Sequence, residues 1–204
     1  AASLLASLAG AVYPKCRQLG CADSHWHGVT AGLACAFAEP PESARELGDV
    51  SQPGDLVMPT STRSPEGEEA DKAIDDRNGT KYLNFDTVNA GLTVTLSRGA
   101  SAVTGLRFTS ANDVPSRDPT RFVLSGSTDG SVFTEVASGP IPEFTSRYQG
   151  VEVTFDNDRA FSQYRLLFPE VRDAASAVAV QIAEVEFLSL MEISSLEEIG
   201  LEGA

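Results

Sequence analysis

From Leu92 onward the sequence is a series of short β-type runs cut apart by Gly, Pro, Asn and Asp. The runs are Leu92–Leu96, Val103–Phe108, Arg121–Ser125, Val132–Val136, Val151–Phe155, Tyr164–Phe168 and Val180–Leu188. This punctuation constrains the fold more than any other feature of the chain. Alternation with a period of two places successive side chains on opposite faces of a strand, and the turn residues send the chain back each time. In Val151-Glu152-Val153-Thr154-Phe155 the odd positions are apolar, and around Ile182 apolar residues alternate with polar or small ones. No long amphipathic helical pattern interrupts the series, so a parallel βαβ architecture is excluded. The expected fold class is all-β, an antiparallel jelly-roll-like sandwich. Asp129-Gly130, between Phe122–Gly126 and Val132–Val136, predicts a tight hairpin, because Gly tolerates the positive φ of a two-residue turn.

The texture changes at Pro40-Pro41, where neither a helix nor a central strand can continue. The chain therefore reads as three parts. Residues 1–45 form a Cys-containing segment outside the sandwich, with short helices expected at Leu4–Ala11 and Thr30–Phe37. Residues 49–188 form the sandwich, and 189–204 form an acidic tail. The apolar runs Ser3–Val12 and Val29–Ala38 are each about half the roughly 18–20 residues that a membrane helix needs, so no transmembrane span is expected.

A net charge of −14 repels phosphate backbones and anionic lipid. Nucleic acid and electrostatic membrane binding are set aside on that ground. The charge suits a cation or a partner with a basic face. The odd set Cys16, Cys21 and Cys35 cannot pair fully within one chain; one disulfide plus one unpaired Cys is the plain reading. His25 and His27 lie between them, but zinc usually takes two matched ligand pairs and the second is absent.

Four stretches in chain order carry a resemblance: Ala73-Ile74-Asp75-Asp76-Arg77-Asn78-Gly79-Thr80-Lys81-Tyr82; Arg117-Asp118-Pro119-Thr120-Arg121-Phe122 through Gly130; Tyr164-Arg165-Leu166-Leu167-Phe168; and Ile182-Ala183-Glu184-Val185-Glu186-Phe187. Together they resemble the discoidin, or coagulation-factor type C, domain of the galactose-binding-like superfamily, in a version common in secreted bacterial proteins. The resemblance spans Asp49 to Leu188. It implies a non-catalytic module that binds glycans, lipid head groups or proteins, often with a structural calcium. It also implies an extracellular, secreted or other non-cytosolic setting. Tyr82 stands where that family often has Trp, and Asp75-Asp76 where it usually has Asp-Gly. The first change is expected to preserve core packing and the second to add charge to the loop.

The loop Asp75–Thr80 packs carboxylate, amide and hydroxyl oxygens into one turn, with Gly79 to let it bend and Asp86 nearby. Calcium takes six to eight such hard oxygens, often including carbonyls. The spacing is not that of an EF-hand. By the resemblance, the calcium ligands are the Ala73 carbonyl, Asp75 or Asp76, Asn78, Thr80, and Glu184 or Glu186 from the last strand. The plain alternative is a solvated acidic turn. Asn78-Gly79-Thr80 is also a glycosylation sequon, a use that competes with a metal at Asn78.

No G-x-S-x-G elbow, Walker loop or HExxH is present, and no carboxylate pair stands out, so no enzyme is expected. A ligand site belongs on the loops at one end of a sandwich. Asn112, Asp113 and Arg117 offer hydrogen-bonding groups for sugar hydroxyls, and Arg147 and Tyr148 add a planar cation and an aromatic face. These five residues make one site only where their two loops converge. The plain alternative pairs Arg117 with Asp118 to hold the loop. The expected function is a binding or adhesion module, with carbohydrate as the ligand. The alternative is an accessory or scaffold subunit of a larger assembly, docking through the sandwich and through apolar residues of its extensions such as Leu4, Leu5, Trp26, Leu196, Ile199 and Leu201.

Overall fold

The structure, a computed structural model, describes residues 45–192. Cys16, Cys21, Cys35, His25, His27, the two expected N-terminal helices and the tail beyond Glu192 lie outside the described residues. The strands are β1 Arg45–Asp49, β2 Leu56–Pro59, β3 Tyr82–Asn84, β4 Ala90–Thr95, β5 Val103–Thr109, β6 Arg121–Ser127, β7 Thr134–Pro140, β8 Gly150–Thr154, β9 Gln163–Phe168, β10 Val180–Ile182 and β11 Glu184–Glu192. Single 3-10 turns occupy Ala70–Ala73 and Pro115–Arg117. No helix among the described residues is long and apolar enough to cross a membrane.

Every strand pairing is antiparallel. One sheet has the order β1-β11-β5-β8, a second the order β2-β4-β9-β6-β7, and β10-β3 forms a small ribbon. The two large sheets face each other across one core, and the alternation read from the sequence supplies it. Leu92 and Val94 of β4, Leu106 and Phe108 of β5, Leu124 of β6, and Tyr164, Leu166 and Phe168 of β9 are all fully buried. Phe108 packs against Phe122 at 5.8 Å and Phe168 at 6.3 Å between ring centres, and Tyr164 meets Phe187 at 5.9 Å. Such offset rings add to the area they bury. Tyr82 is buried as expected, and its hydroxyl donates to the Gly91 carbonyl at 3.2 Å. The paired ends reach beyond 49–188, because Arg45 pairs with Glu192 and β11 runs past Leu188 to meet β1.

The β6–β7 hairpin forms, but not with a two-residue turn. Its strands end at Ser127 and restart at Thr134. The Asp129 carboxylate accepts the N–H groups of Ser131 and Val132, an Asx arrangement that stabilises a wider loop, and Gly130 supplies φ 74.

Gly91 is a close-approach position. A Cβ there would lie 2.0 Å from the Leu166 carbonyl oxygen, a backbone atom that cannot move aside without disturbing the β4–β9 ladder. Gly91→Ala is expected to cost about 1–3 kcal/mol in urea unfolding, and a loss below roughly 0.5 kcal/mol would show that the two strands separate freely.

Register places the functional loops. The end of β5 and the starts of β8 and β11 lie together, as the pairings Thr109↔Gly150 and Thr109↔Glu184 require; in the other sheet the start of β6 lies beside the end of β9, and the hydrogen bond from Arg147 to Asp118 brings the two sets to one end of the sandwich. The loops after Thr109 and before Gly150 are therefore neighbours.

Candidate functional site

The two loops not only meet but are bolted together. Ser110 donates its N–H to the Gln149 carbonyl at 3.0 Å and its hydroxyl to the Ser146 carbonyl at 3.0 Å. The Arg147 guanidinium reaches across and donates to the carbonyls of Ala111 at 3.3 Å and Asp113 at 3.2 Å. It also grips both oxygens of Asp118, at 2.7 and 2.5 Å. Asp118 is buried, with its side chain 1% exposed, and takes a second ion pair from Arg172 at 3.3 Å. The Arg117–Asp118 pair considered from the sequence does not form. Asp118 is the hub, and its cations come from the loops before β8 and after β9.

This assigns Arg147 to bracing. Its donors serve the loop backbone and Asp118, so the groups left facing outward are others. Tyr148 is 51% exposed and sits in the left-handed region at φ 58; Val114, on the other loop, has φ 33 and is also exposed. Left-handed backbone at non-glycine residues costs on the order of 1–3 kcal/mol and persists only where surroundings enforce it. Here Gln181 donates to the carbonyls of Asp113 at 2.6 Å and Val114 at 3.2 Å, and Arg147 holds the other side. Asn112 is exposed, and the buried Arg117 Nε has no hydrogen-bond partner among the described residues.

Asp113 is held by Lys81, whose ammonium donates to it at 2.8 Å. Burial pushes the Asp113 carboxyl up, but the hydrogen bond and charge of Lys81, with Gln181 and Arg117 behind them, outweigh it. Asp113 therefore stays ionised below the usual aspartate range. Lys81 was not among the residues singled out from the sequence. Its signal there is only that it follows Thr80.

The second cluster lies on the loop Asp75–Thr80 beside the start of β11. Thr80 donates its hydroxyl to Asp75 at 2.8 Å and to the Arg77 carbonyl at 2.8 Å, closing the turn. The Asp76 N–H donates to Glu184 Oε1 at 2.9 Å across the sandwich, from a backbone at φ 57. Glu184 is buried, and its Oε2 has no partner among the described residues. Burial, reinforced by the charges of Asp75 and Asp76, pushes the Glu184 carboxyl up to about 8. Glu186 does not join this group: it is paired with Arg107 at 2.7 Å. Ala73 precedes the loop at the end of its 3-10 turn, and Asn78 is exposed on it. Among the described residues no three Asp, Glu, His or Cys side chains gather as a metal-ligand set.

Comparison with known proteins follows from this geometry. No family model matches the sequence, and no curated protein matches it. Solved structures do match. The family 32 carbohydrate-binding module of Clostridium perfringens NanJ, solved with galactose, superposes with a TM-score of 0.58 at 20% identity, covering 71% of this chain and 100% of the module. The domain has the discoidin-like, galactose-binding-like fold. A second C. perfringens module, solved with GalNAc-β-1,3-galactose, matches this discoidin-like domain with a TM-score of 0.58 at 17% identity, over 70% of the chain and 99% of the module. The C-terminal domain of a chitobiase from Bacteroides fragilis matches with a TM-score of 0.51 at 13% identity, over 68% and 99%.

Proposed function

We propose that this discoidin-like domain is a non-catalytic carbohydrate-binding module whose glycan site is the bolted loop pair, with calcium as a structural ion in the Asp75–Thr80 loop. The observation that carries the glycan reading is the Arg147 bridge. It fixes two loops against each other, one carrying the exposed ring of Tyr148 and the other the exposed Asn112 and the half-buried Arg117. A sugar offers an apolar C–H face and a ring of hydroxyls. A rigid aromatic with a few convergent polar groups recognises both. Two modules of the same fold solved with galactose-containing ligands support this reading.

Calcium is supported by Glu184. A buried carboxylate with one free oxygen beside two aspartates is costly unless a cation neutralises it. With few carboxylates in reach, carbonyl and hydroxyl oxygens would have to complete the sphere, which calcium accepts. Asp75, Asp76, Thr80 and Glu184 are the residues assigned to hold it on this reading.

A glycan-array screen in calcium, followed by titration calorimetry with the best galactoside, tests the glycan reading. Tyr148→Asn, which keeps the left-handed backbone that Asn tolerates, and Arg117→Ala are each expected to weaken binding about tenfold or more, about 1.4 kcal/mol. An array without a hit, or full affinity in both variants, removes the loop pair as the glycan site.

A further inference from the structure

The outer face of the five-stranded sheet carries a polar row that the fold does not use. Met58 of β2 pairs with Thr93 of β4, Thr93 with Arg165 of β9, and Arg165 with Ser125 of β6, so these four side chains run in line across the strands. The side chains one position on, Val94, Tyr164, Leu166 and Leu124, fill the core. Between β2 and the β6–β7 hairpin, Met58, Thr93 and Arg165 of this row line an open groove of about 460 Å³, within the range that takes a small organic ligand. At the hairpin side Phe133 folds under Arg165, with the guanidinium 3.7 Å from the ring centre. Gln163, one pair further along β9, also lines the groove, over Gly130.

The groove joins an uncompensated cation to a lining without acids. Arg63, Arg107, Arg121, Arg147 and Arg172 are each paired with a carboxylate. Arg165, like Arg77, Arg98, Arg117 and Arg159, has no carboxylate partner among the described residues, and of these it is the one that lines this groove, stacked on Phe133. Among the described residues no acidic side chain lines the groove, although acids outnumber bases 29 to 15 in the chain. A single guanidinium, stacked on a ring and so held in one plane, presents the fork that matches a carboxylate. Hydroxyl and amide groups on either side suit hydroxyls, and the exposed Met58 supplies an apolar surface.

We propose that this groove is a second binding site, on a different face from the loop pair, for a carboxylate-bearing saccharide of the uronic-acid class. The carboxylate sits on Arg165, the ring hydroxyls meet Thr93 and Gln163, and an apolar ring face rests on Met58.

Titration calorimetry of the full chain with digalacturonate, and with the same disaccharide as its dimethyl ester, tests the assignment. Digalacturonate binds one to one, the ester at least tenfold more weakly, and Arg165→Gln loses at least tenfold for the acid while its melting temperature stays near that of the parent. Tyr148→Asn leaves acid binding unchanged, which separates this site from the loop pair whatever the fate of the latter. The ester comparison needs no variant and stands even if Arg165→Gln folds poorly. Equal affinity for acid and ester, undiminished binding by a folded Arg165→Gln, a Kd weaker than about 1 mM, or equal binding of a Glu-rich peptide each overturns the proposal.

Discussion

Asp118→Ala is expected to lower unfolding free energy by about 3–5 kcal/mol and to abolish glycan binding together with it. The carboxylate is buried and is the shared partner of Arg147 and Arg172. Removing it leaves the largely buried Arg147 guanidinium without a counter-charge and Arg172 with only the exposed Glu143 at 3.5 Å, a far larger cost than losing a surface ion pair. The effect reaches the surface because Arg147, freed from Asp118, no longer fixes the carbonyls of Ala111 and Asp113, and the left-handed turns at Val114 and Tyr148 lose their enforcement. Urea unfolding gives the stability and calorimetry the binding. Asp118→Asn, which keeps the shape and two acceptor or donor sites, should recover part of both. A loss below about 1 kcal/mol for Asp118→Ala would show that the loops are held by their other contacts.

Stripping calcium is expected to make the stability of the domain fall as pH rises. In the metal-free protein the Glu184 carboxyl titrates at about 8, against 4.5 for an ordinary glutamate. The folded state thus keeps a proton that the unfolded chain releases. Stability is full below pH 4.5, declines through the window up to about 8, and is flat above it. The ceiling on the loss is about 5 kcal/mol, set by that difference in proton affinity. On the proposed reading, calcium takes the proton's place. At pH 8 and a hundredfold excess over Kd it is expected to restore about 2.7 kcal/mol, or about 5–10 °C in melting temperature, whereas at pH 5 chelator should change little. Glu184→Gln should be flat in pH and indifferent to chelator. Melting curves at pH 5 and 8, with and without chelator, decide it: no chelator effect at pH 8 ends the calcium reading.

The sandwich was legible because seven short β-type runs, several with clean alternation, stand between turn residues. β1, β2 and β3 were not. Arg45–Asp49 has one large apolar residue, Leu47, and becomes a strand through its pairing with β11. Leu56–Pro59 is short, apolar on both faces and ends in Pro, so no period shows; Tyr82–Asn84 is too short to show one. The candidate loops were legible as composition, and their convergence follows from register. What sequence could not give was the assignment of partners. Asp118 has Arg117 beside it and Arg121 close by, yet its cations come from residues 147 and 172. Glu184 and Glu186 share a face of the strand, yet one is buried beside the Asp75–Thr80 loop and the other is paired with Arg107. The row of Met58, Thr93, Arg165 and Ser125 joins four strands distant in sequence, and nothing within any one of them signals it.

The pairing of Arg45 with Glu192 has a mechanical consequence. Both ends of the sandwich leave it at one point, opposite the loop pair, since β11 begins with Glu184 at the loop end. Tension between the two ends peels β1 from β11 one hydrogen-bonded pair at a time, the geometry in which antiparallel strands resist least. Tension between a ligand on the loops and either end runs lengthwise along β11 instead and loads its bonds to β5 and β1 together. The domain is therefore expected to yield at lower force when pulled by its two ends than when the load enters at the loop end.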